Sequence, residues 1–402
     1  MTAVEAIFPV ELGKGRVRYA QGVKAGRWVF ATGHMGTDYL TGIKEEVISP
    51  RMPYFPNTKY EREATSIYGD FEAILKFVGS DLSNIVRVDQ YYTTWKAVDP
   101  YHVVRRAKFR DKMPCSTSVL QERLLLSEAE MDVQMLGVIP EDGFRPVRSH
   151  PSVVKVPPTS GYTPLINVGD FIFLAGNMAT DDKGMAPETK LVYGQRWGGT
   201  QVKRETEYII KERIEPVLLA SDSSLDMVLK AQVYLSDIED APAFNSVWSK
   251  YFHKNPPATS IVPTTGFGHE SGKIEINIIA IKKDAATKKE CLEAPVFTGF
   301  ENQAVAVRAG DLLFLSGLMA IDKNGLLENA IVDKKQPHFS SSIKSQMRSI
   351  LSNAQSICTA AGTSMDNVVR IQQFHTDIND FFPAYEVWEE FLPGKFLPFS
   401  AV

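Results

Sequence analysis

The chain repeats one short pattern three times: an apolar strand that ends on a small residue, a glycine, a variable residue and a methionine. The three copies lie at residues 28–35, 171–178 and 312–319. Their spacing far exceeds that of solenoid repeats and is close to the length of a self-contained domain. We therefore expect three globular modules of one fold, and we expect any functional site to lie where two modules meet.

The interval between the first two copies is constant along the chain. Gly26 and Gly169 are 143 positions apart, and so are Arg87 and Lys230. The step to the third copy is slightly shorter, because Lys230 and Arg370 are 140 positions apart. Such regularity indicates that the modules align with one another almost without insertions.

The repeats predict module boundaries of 1–140, 158–282 and 295–402. The connectors between them are rich in proline in the first case and charged and alanine-rich in the second, as is common between domains. The third copy ends at Val402, before any counterpart of the strand that contains Glu275. We therefore expect the third module either to lack its last strand in this chain or to be incomplete by nature.

Each copy has the order strands, helix, strand, helix, strands. The helices show apolar residues at helical spacing on one face. The segment Ile274-Glu275-Ile276-Asn277-Ile278 alternates apolar and polar residues, as in a strand with two different faces. This order predicts an α+β fold in which one mixed sheet carries both helices on one face. Because the other face also needs a cover, we expect the three sheets to meet around an axis as an intramolecular pseudo-trimer.

Composition restricts the possible partners. The 402-residue chain is 44% hydrophobic and 23% charged and has a net charge of −4, so it has no broad cationic surface for a nucleic-acid backbone. The N-terminus lacks the pattern of a signal peptide, and no stretch approaches the roughly 18 apolar residues of a membrane helix. We expect a cytoplasmic protein without a nucleic-acid or membrane partner.

The cysteines and histidines do not form a recognisable metal pattern. Cys115, Cys291 and Cys358 are unevenly spaced, and the seven histidines are scattered. Zinc sites and disulfide frameworks need closer and more regular spacing. We therefore expect neither a metal nor an organic cofactor.

Several segments, taken in order, resemble the RidA/YjgF family. They are Tyr19-Ala20-Gln21-Gly22-Val23, the strand start at 366–369, Thr376-Asp377-Ile378-Asn379-Asp380, Phe244-Asn245-Ser246-Val247-Trp248, the Pro-x-x-Ser strand and Ile274-Glu275-Ile276. The resemblance covers almost the whole chain, three times over. It implies three tandem chorismate-mutase-like domains with a ligand cleft at each interface between modules.

The resemblance also implies residue roles. In deaminase members of that family an arginine of the Pro-x-x-Ser segment binds the substrate carboxylate, and a glutamate on the closing strand positions water against a C=N bond. The arginine position is occupied here by Ser116, Thr259 and Ser400, which cannot form a bidentate pair with a carboxylate. The glutamate is identified with Glu130 and Glu275.

Two further family positions supply candidate substrate-binding residues. The cleft tyrosine corresponds to Tyr19, Tyr162 and, in the third copy, Gln303. A helix position that is usually asparagine corresponds to His102, Asn245 and Tyr385. Because these residues differ between copies, we expect three chemically different clefts around one small-molecule-binding monomer. Whether that monomer pairs further stays open.

The favoured function is an atypical hydrolase or deaminase for a small, uncharged or weakly polar imine, enamine or amide. Glu130 or Glu275 would act as general base toward water, and Tyr19 or Tyr162 would hold the electrophile together with a hydroxyl of Ser116 or Thr259. His102 would add a second titrating group in the first copy.

Other functions remain open at this point. The loss of the arginine is also what a non-catalytic small-molecule-binding or regulatory protein would show. A chorismate-cleaving hydrolase is a further alternative by analogy of fold, with Arg105, Arg106 and Arg110 as carboxylate-binding candidates. Ribonuclease activity, attributed to relatives of the family, is disfavoured by the acidic net charge. A lone glutamate or histidine is also often a solvated or interface group.

Overall fold

The computed structural model describes residues 3–12, 17–48, 57–154, 161–191, 200–332, 335, 338 and 340–402. Three successive sets of strands and helices are named here the first, second and third modules. Each module has its own strands and its own pair of helical segments.

The first module contains six strands and three α-helices. They are β1 (Val4–Leu12), β2 (Val17–Ala25), β3 (Trp28–His34), α1 (Glu45–Ile48), α2 (Lys59–Phe77), β4 (Ile85–Tyr92), α3 (Val98–Phe109), β5 (Cys115–Leu120) and β6 (Met131–Val138).

The second module repeats this order with one helix interrupted by a π-helical turn. Its elements are β7 (Val147–Ser149), β8 (Leu165–Val168), β9 (Phe171–Asn177), β10 (Thr180–Asp181), β11 (Gly184–Met185), α4 (Gln201–Tyr208), the π-helical turn (Ile209–Ile214), α5 (Glu215–Leu219), β12 (Val228–Leu235), α6 (Ala241–Tyr251), β13 (Ala258–Pro263), β14 (Gly266–Phe267) and β15 (Ile274–Ile281).

The third module is built from shorter strands. Its elements are β16 (Lys289–Leu292), β17 (Ala306–Ala309), β18 (Leu312–Leu315), β19 (Ile321–Asp322), β20 (Gly325–Leu326), α7 (Ser342–Ala360), β21 (Ile371–Gln373), α8 (Phe381–Phe391) and β22 (Phe399–Ala401). Short 3₁₀ turns precede several strands and helices of the three modules, at Leu82–Asn84, Trp95–Ala97, Pro187–Thr189, Leu225–Met227, Ile238–Asp240, Glu328–Ala330, Met365–Asn367 and Ile378–Asp380.

The sheets of the first two modules have the same strand order. The first runs β1-β2-β3-β6-β4-β5 and is extended by β14 of the second module, and the second runs β7-β8-β9-β15-β12-β13. In each, one pair is parallel, β4 with β5 and β12 with β13. The mixed sheet expected from the order of elements is therefore confirmed.

The third module has the same two halves but no shared sheet. Strands β16-β17-β18 form one sheet and β21-β22 another, and among the described residues no strand lies between β18 and β21, where β6 and β15 lie in the other modules. The apolar residues Leu312–Leu315 of β18 are consequently only half-buried, whereas their equivalents in β3 and β9 are buried.

Each sheet packs its helices on one face. The α2 side chains that lie 0% exposed recur at helical spacing and face the sheet: Ala64, Ile67, Tyr68, Phe71, Ile74 and Leu75. The N-terminus of α2 is fixed by a capping box between Thr58 and Glu61, which satisfies two exposed backbone donors. The helix face predicted from periodicity is thus the core face.

The opposite faces of the three sheets meet one another. One apolar cluster joins Trp28 of the first module, Phe173 of the second and Val307 of the third. A second cluster joins residues of all three modules near the axis. Since every sheet is covered on both faces in this way, the predicted pseudo-trimer is confirmed.

Three equivalent close approaches close the ring. A side chain at Gly176 would lie 3.0 Å from Thr117 Oγ1, and one at Gly317 would lie 3.4 Å from Ser260 Cα. A side chain at Gly33 would overlap the carbonyl oxygen of Phe399. The glycine of the repeated pattern therefore admits the preceding module at every interface, through backbone atoms at Gly33 and Gly317 and through a side chain at Gly176. None of the described helices combines the length and apolarity needed to span a bilayer.

Candidate active site

The interface between the first and second modules, named here the first–second cleft, brings together Tyr162, Glu275 and Thr117. A side chain at Gly176 would overlap Glu275 Oε1 and approach Thr117 Oγ1, so the carboxyl and the hydroxyl flank this glycine. Asn277 Nδ2 donates to Thr117 Oγ1 at 3.2 Å and ties β15 to β5. A carboxyl group and two hydroxyl groups thus meet at one interface.

Glu275 is a buried acid. Its residue is 6% exposed, and this burial raises the pKa of the carboxyl to about 8, with the charge of Arg87 opposing the shift and that of Asp89 adding to it. At pH 7 the group is therefore mostly neutral. A neutral carboxylic acid can donate a proton, and its conjugate base can then accept one.

Tyr162 lies between this acid and a buried arginine. Burial raises the pKa of its hydroxyl, the positive charge of Arg213 lowers it, and Glu275 raises it. Arg213 Nη2 donates to the Tyr162 hydroxyl oxygen at 3.5 Å. The tyrosine hydrogen is consequently left to point toward a ligand.

Ser116 faces away from this group. On β5 the side chains alternate, so Thr117 contacts the second module while Ser116 Oγ accepts a hydrogen bond from Arg105 Nη1 on α3 at 2.9 Å. Thr117, which the sequence interpretation passed over, supplies the hydroxyl beside Glu275. The prediction for Ser116 is therefore corrected: the hydroxyl beside Glu275 belongs to Thr117.

His102 does not titrate near neutral pH. Burial, together with the charges of Arg105 and Arg106, lowers the pKa of the imidazole to about 3. The imidazole is neutral at any physiological pH. The expectation of a second titrating group at this position is wrong, because two cations and a buried site disfavour the imidazolium.

Glu130 lies outside the clefts. It precedes β6, pairs with Lys59 Nζ at 3.6 Å and accepts a hydrogen bond from Thr93. The register places Asp132 opposite Tyr91, as Glu275 lies opposite Tyr234, so Asp132 is the equivalent of Glu275. The separation of 143 positions between Asp132 and Glu275 gives the same match, which the motif-based alignment overlooked.

The third–first cleft contains Tyr19 and Asp132. Burial raises the pKa of the Asp132 carboxyl well above its ordinary value, although Arg370 opposes this. Neither Asp132 oxygen has a hydrogen-bond partner among the described residues. Tyr19 donates to the carbonyl of Thr32 and lies 3.4 Å from the Tyr39 hydroxyl. This interface therefore brings an acid and two phenols together.

The predicted equivalent of Ser400 in the first module is also wrong by one position. Ser400 lies opposite Gln372, just as Ser260 lies opposite Gln232, and it accepts from Gln134 Nε2 at 2.6 Å. By register it therefore matches Thr117 rather than Ser116. The step from Ser260 to Ser400 is 140 positions, as it is from Lys230 to Arg370, so the loop before β22 contains no extra residue.

The second–third cleft has a lysine, Lys230, where the first–second cleft has Arg87. Lys230 Nζ donates to Ser260 Oγ and to the carbonyl oxygen of Leu315, both at 2.7 Å. Burial, together with the charge of Arg370, lowers the pKa of this amine to about 7. Thr259 bonds through its backbone N–H to Ser316 Oγ at 2.8 Å. No carboxyl group occupies the Glu275 position in the described part of this interface.

Of the two remaining candidates, Gln303 is buried and Asn245 is half-buried. Gln303 is 9% exposed, and its Oε1 lacks a partner in the described structure. Asn245 Oδ1 on α6 also lacks a hydrogen-bond partner among the described residues. Over the described residues, no three His, Cys, Asp or Glu side chains are arranged to hold a metal ion. The first–second cleft is thus where the sequence-predicted residues converge best.

Comparison with known proteins places the fold. A model of the family described as Endoribonuclease L-PSP matches residues 153–282 and 295–402. A RutC family protein of Saccharolobus solfataricus is 35% identical over 125 residues, which cover 31% of this chain and 90% of that protein. Protein HMF1 of Saccharomyces cerevisiae is 37% identical over 103 residues, 26% of this chain and 70% of that protein.

Each of these two relatives therefore corresponds to about one module of the present chain. Among solved structures, the crystal structure of yeast Mmf1 aligns with 34% of this chain and 97% of its own, at 25% identity and a TM-score of 0.28.

Proposed function

Because the chain belongs to the Endoribonuclease L-PSP family, as its resemblance to RidA/YjgF proteins indicated, we propose that its first–second cleft hydrolyses a small imine, enamine or amide. The observation that supports this most directly is the buried Glu275 carboxyl, with a pKa of about 8, beside the Thr117 hydroxyl and close to Tyr162. Such a shift is typical of an acid used in proton transfer.

The hydrolysis needs a group that first donates a proton and then accepts one. Neutral Glu275 donates its proton to the imine nitrogen, which makes the carbon more electrophilic. The resulting carboxylate accepts a proton from water as the water oxygen bonds to that carbon. The carbinolamine then breaks its C–N bond, releasing a carbonyl product and an amine or ammonia.

The two hydroxyls orient the substrate. Thr117 Oγ1 accepts hydrogen bonds from Arg87 Nη2 at 2.6 Å and from Asn277, which leaves its own hydrogen for a ligand acceptor. Tyr162 likewise accepts from Arg213. Both donors are held in place by charged or amide groups, so their positions are fixed before the ligand binds.

The test is a hydrolysis assay with imines generated from a panel of amino acids, followed by the appearance of the keto product. We expect acceleration that the substitution Glu275→Gln reduces about 10²- to 10⁴-fold. The control Glu130→Gln, outside the clefts, should leave the rate unchanged. The rate should also fall above pH 8, as the neutral acid is lost.

Two outcomes would reject this function. No acceleration with any imine would favour the non-catalytic binding protein, and full activity in Glu275→Gln would exclude the proposed acid. Cleavage of RNA, the activity that the family description names, is measured in parallel. Cleavage that survives Glu275→Gln would assign the activity elsewhere.

A further inference from the structure

Arg213 is a buried guanidinium at an irregular point of the second-module helix. The π-helical turn Ile209–Ile214 separates α4 from α5, and Arg213 lies within it, 5% exposed. The uninterrupted helix α2 is the equivalent in the first module. Turns of this type are rare and often occur at functional sites.

The turn contains one residue more than α2. Glu63 and Glu205 are equivalent, because both accept backbone hydrogen bonds at the start of the closing strand. Leu75 and Leu218 are equivalent at the other end of the helix core. The separation between equivalents is 142 positions at the first pair and 143 at the second, so one residue has been added between them.

Pro216 explains where the extra residue is accommodated. Proline has no backbone N–H, so the carbonyl one turn earlier loses its usual α-helical donor and the turn can widen. Arg213 and Ile214, two adjacent residues of this turn, are both buried.

The guanidinium faces the candidate active site. Nη2 reaches the Tyr162 hydroxyl and Nη1 donates to the carbonyl oxygen of Thr180 at 3.2 Å. Nε has no hydrogen-bond partner among the described residues. Among the described residues, no carboxylate oxygen lies within salt-bridge distance of an Arg213 nitrogen. A buried cation without a counter-charge is unfavourable unless an anion completes its site.

We propose that Arg213 binds an anionic group of the ligand, a carboxylate, on the second-module wall of the first–second cleft. The inference rests on the proposed function and refines it, because the absence of arginine at Ser116 had favoured an uncharged ligand. The anionic end of the ligand lies against the helix of the second module, beside Tyr162, and not against β5. The electrophilic carbon then lies toward Glu275 and Thr117.

The probe is 2-oxobutanoate, compared with the neutral 2-oxobutanamide of nearly the same shape, and binding to the full chain is measured by calorimetry. The wild type should bind the carboxylate about 10- to 100-fold more tightly than the amide, as expected for a charge-assisted hydrogen bond. Arg213→Gln should remove this preference. Arg213→Lys should keep part of it, because the charge remains.

The matched control is Lys211→Gln, an exposed cation two residues away that pairs with Glu207 at the surface. This variant should keep the wild-type preference. A wild type without preference, or an Arg213→Gln variant that retains it, would overturn the proposal. If Arg213→Gln does not fold, the wild-type comparison and Arg213→Lys still decide the result.

Glu275→Gln separates this inference from the proposed function. That variant should lose hydrolysis but retain the carboxylate preference. Hydrolysis that persists in Glu275→Gln would reject the proposed acid while leaving Arg213 as an anion-binding residue. Loss of the preference only in the Arg213 variants, with hydrolysis absent throughout, would identify a carboxylate-binding protein without catalysis.

Discussion

The hydroxyl oxygens of Tyr91 and Tyr234 lie 2.8 Å apart, although the residues are separated by 143 positions. That separation is the repeat interval itself, so the two tyrosines are copies of one another. Phe374, the third copy, lies with its ring centroid 6.0 Å from that of Tyr91. Equivalent residues touch only where a pseudo-threefold axis passes between them.

This axial contact predicts a coupled loss of stability. Tyr234→Phe removes one hydrogen bond, which is worth about 1 kcal/mol. Tyr91→Phe should cost more, because Gln372 Nε2 also donates to the Tyr91 hydroxyl at 3.0 Å. Urea unfolding of both variants and of the double variant measures the coupling. Fully additive losses would contradict the contact.

Substitution of Gly33 tests the closure of the ring. Gly33 and Gly143 both have positive φ, +72° and +74°, so alanine is strained at each by about 1 kcal/mol. Only at Gly33 would the new side chain meet another module, at the Phe399 carbonyl. We expect Gly33→Ala to lower the free energy of unfolding by about 1–3 kcal/mol more than Gly143→Ala. Equal losses would indicate an open third–first interface.

Asp89 should stabilise the protein against acid. Burial opposes its ionisation, but the charges of Arg87 and Arg370, each 2.8 Å away, outweigh burial and hold the pKa of the carboxyl below its ordinary value. Its contribution is present above the unfolded-state pKa and is lost as pH falls through the lower folded-state pKa. Asp89→Asn should therefore cost about 3–5 kcal/mol at pH 7, since it leaves two cations without their partner.

The control for Asp89 is Asp111→Asn, whose side chain is 77% exposed. This variant should change the unfolding free energy by less than about 0.5 kcal/mol. At pH 3 and below, the difference between wild type and Asp89→Asn should shrink. If the difference in unfolding free energy does not change with pH, the ion pairs of Asp89 are not its cause.

Glu275 should have the opposite pH dependence. Its folded-state pKa of about 8 lies above the usual 4.5, so the unfolded chain releases this proton at lower pH than the folded chain. Stability from this group therefore decreases as pH rises from 4.5 to 8. Glu275→Gln should gain stability relative to the wild type over that interval, by up to about 1 kcal/mol per pH unit. Denaturant unfolding of both proteins at pH 5, 6, 7 and 8 gives the unfolding free energy as a function of pH. Parallel curves for wild type and Glu275→Gln would refute the raised pKa of Glu275.

The constant repeat interval was sufficient to predict most of the fold. Strand and helix order, the core face of α2 and the closed ring all follow from matching Gly33 with Gly176 and Arg87 with Lys230. These features depend on apolar patterning and on glycine at close approaches, both of which are local properties of the sequence. Local patterns are preserved when a module is copied.

The candidate site was predicted less completely, for two physical reasons. Strand alternation makes an error of one residue reverse the face, which is why Thr117 replaces Ser116 beside Glu275. The alignment of Glu130 with Glu275 ignored the spacing of 143 that identifies Asp132. The Glu130 error could have been avoided by following the interval, but the Ser116 error could not, because Ser116 and Thr259 are themselves 143 positions apart.

Neither the burial of Arg213 nor the shifted pKa values could be predicted from the repeat interval. Arg213 lies in a turn that contains one residue more than α2, and its partners Tyr162 and Thr180 come from distant segments of the chain. Glu275 becomes a neutral acid only because two modules remove it from water. Thus the sequence determined the copies and their order, since patterning is local, while the tertiary structure decided the charge and partners of each group, since burial is created only when distant segments meet.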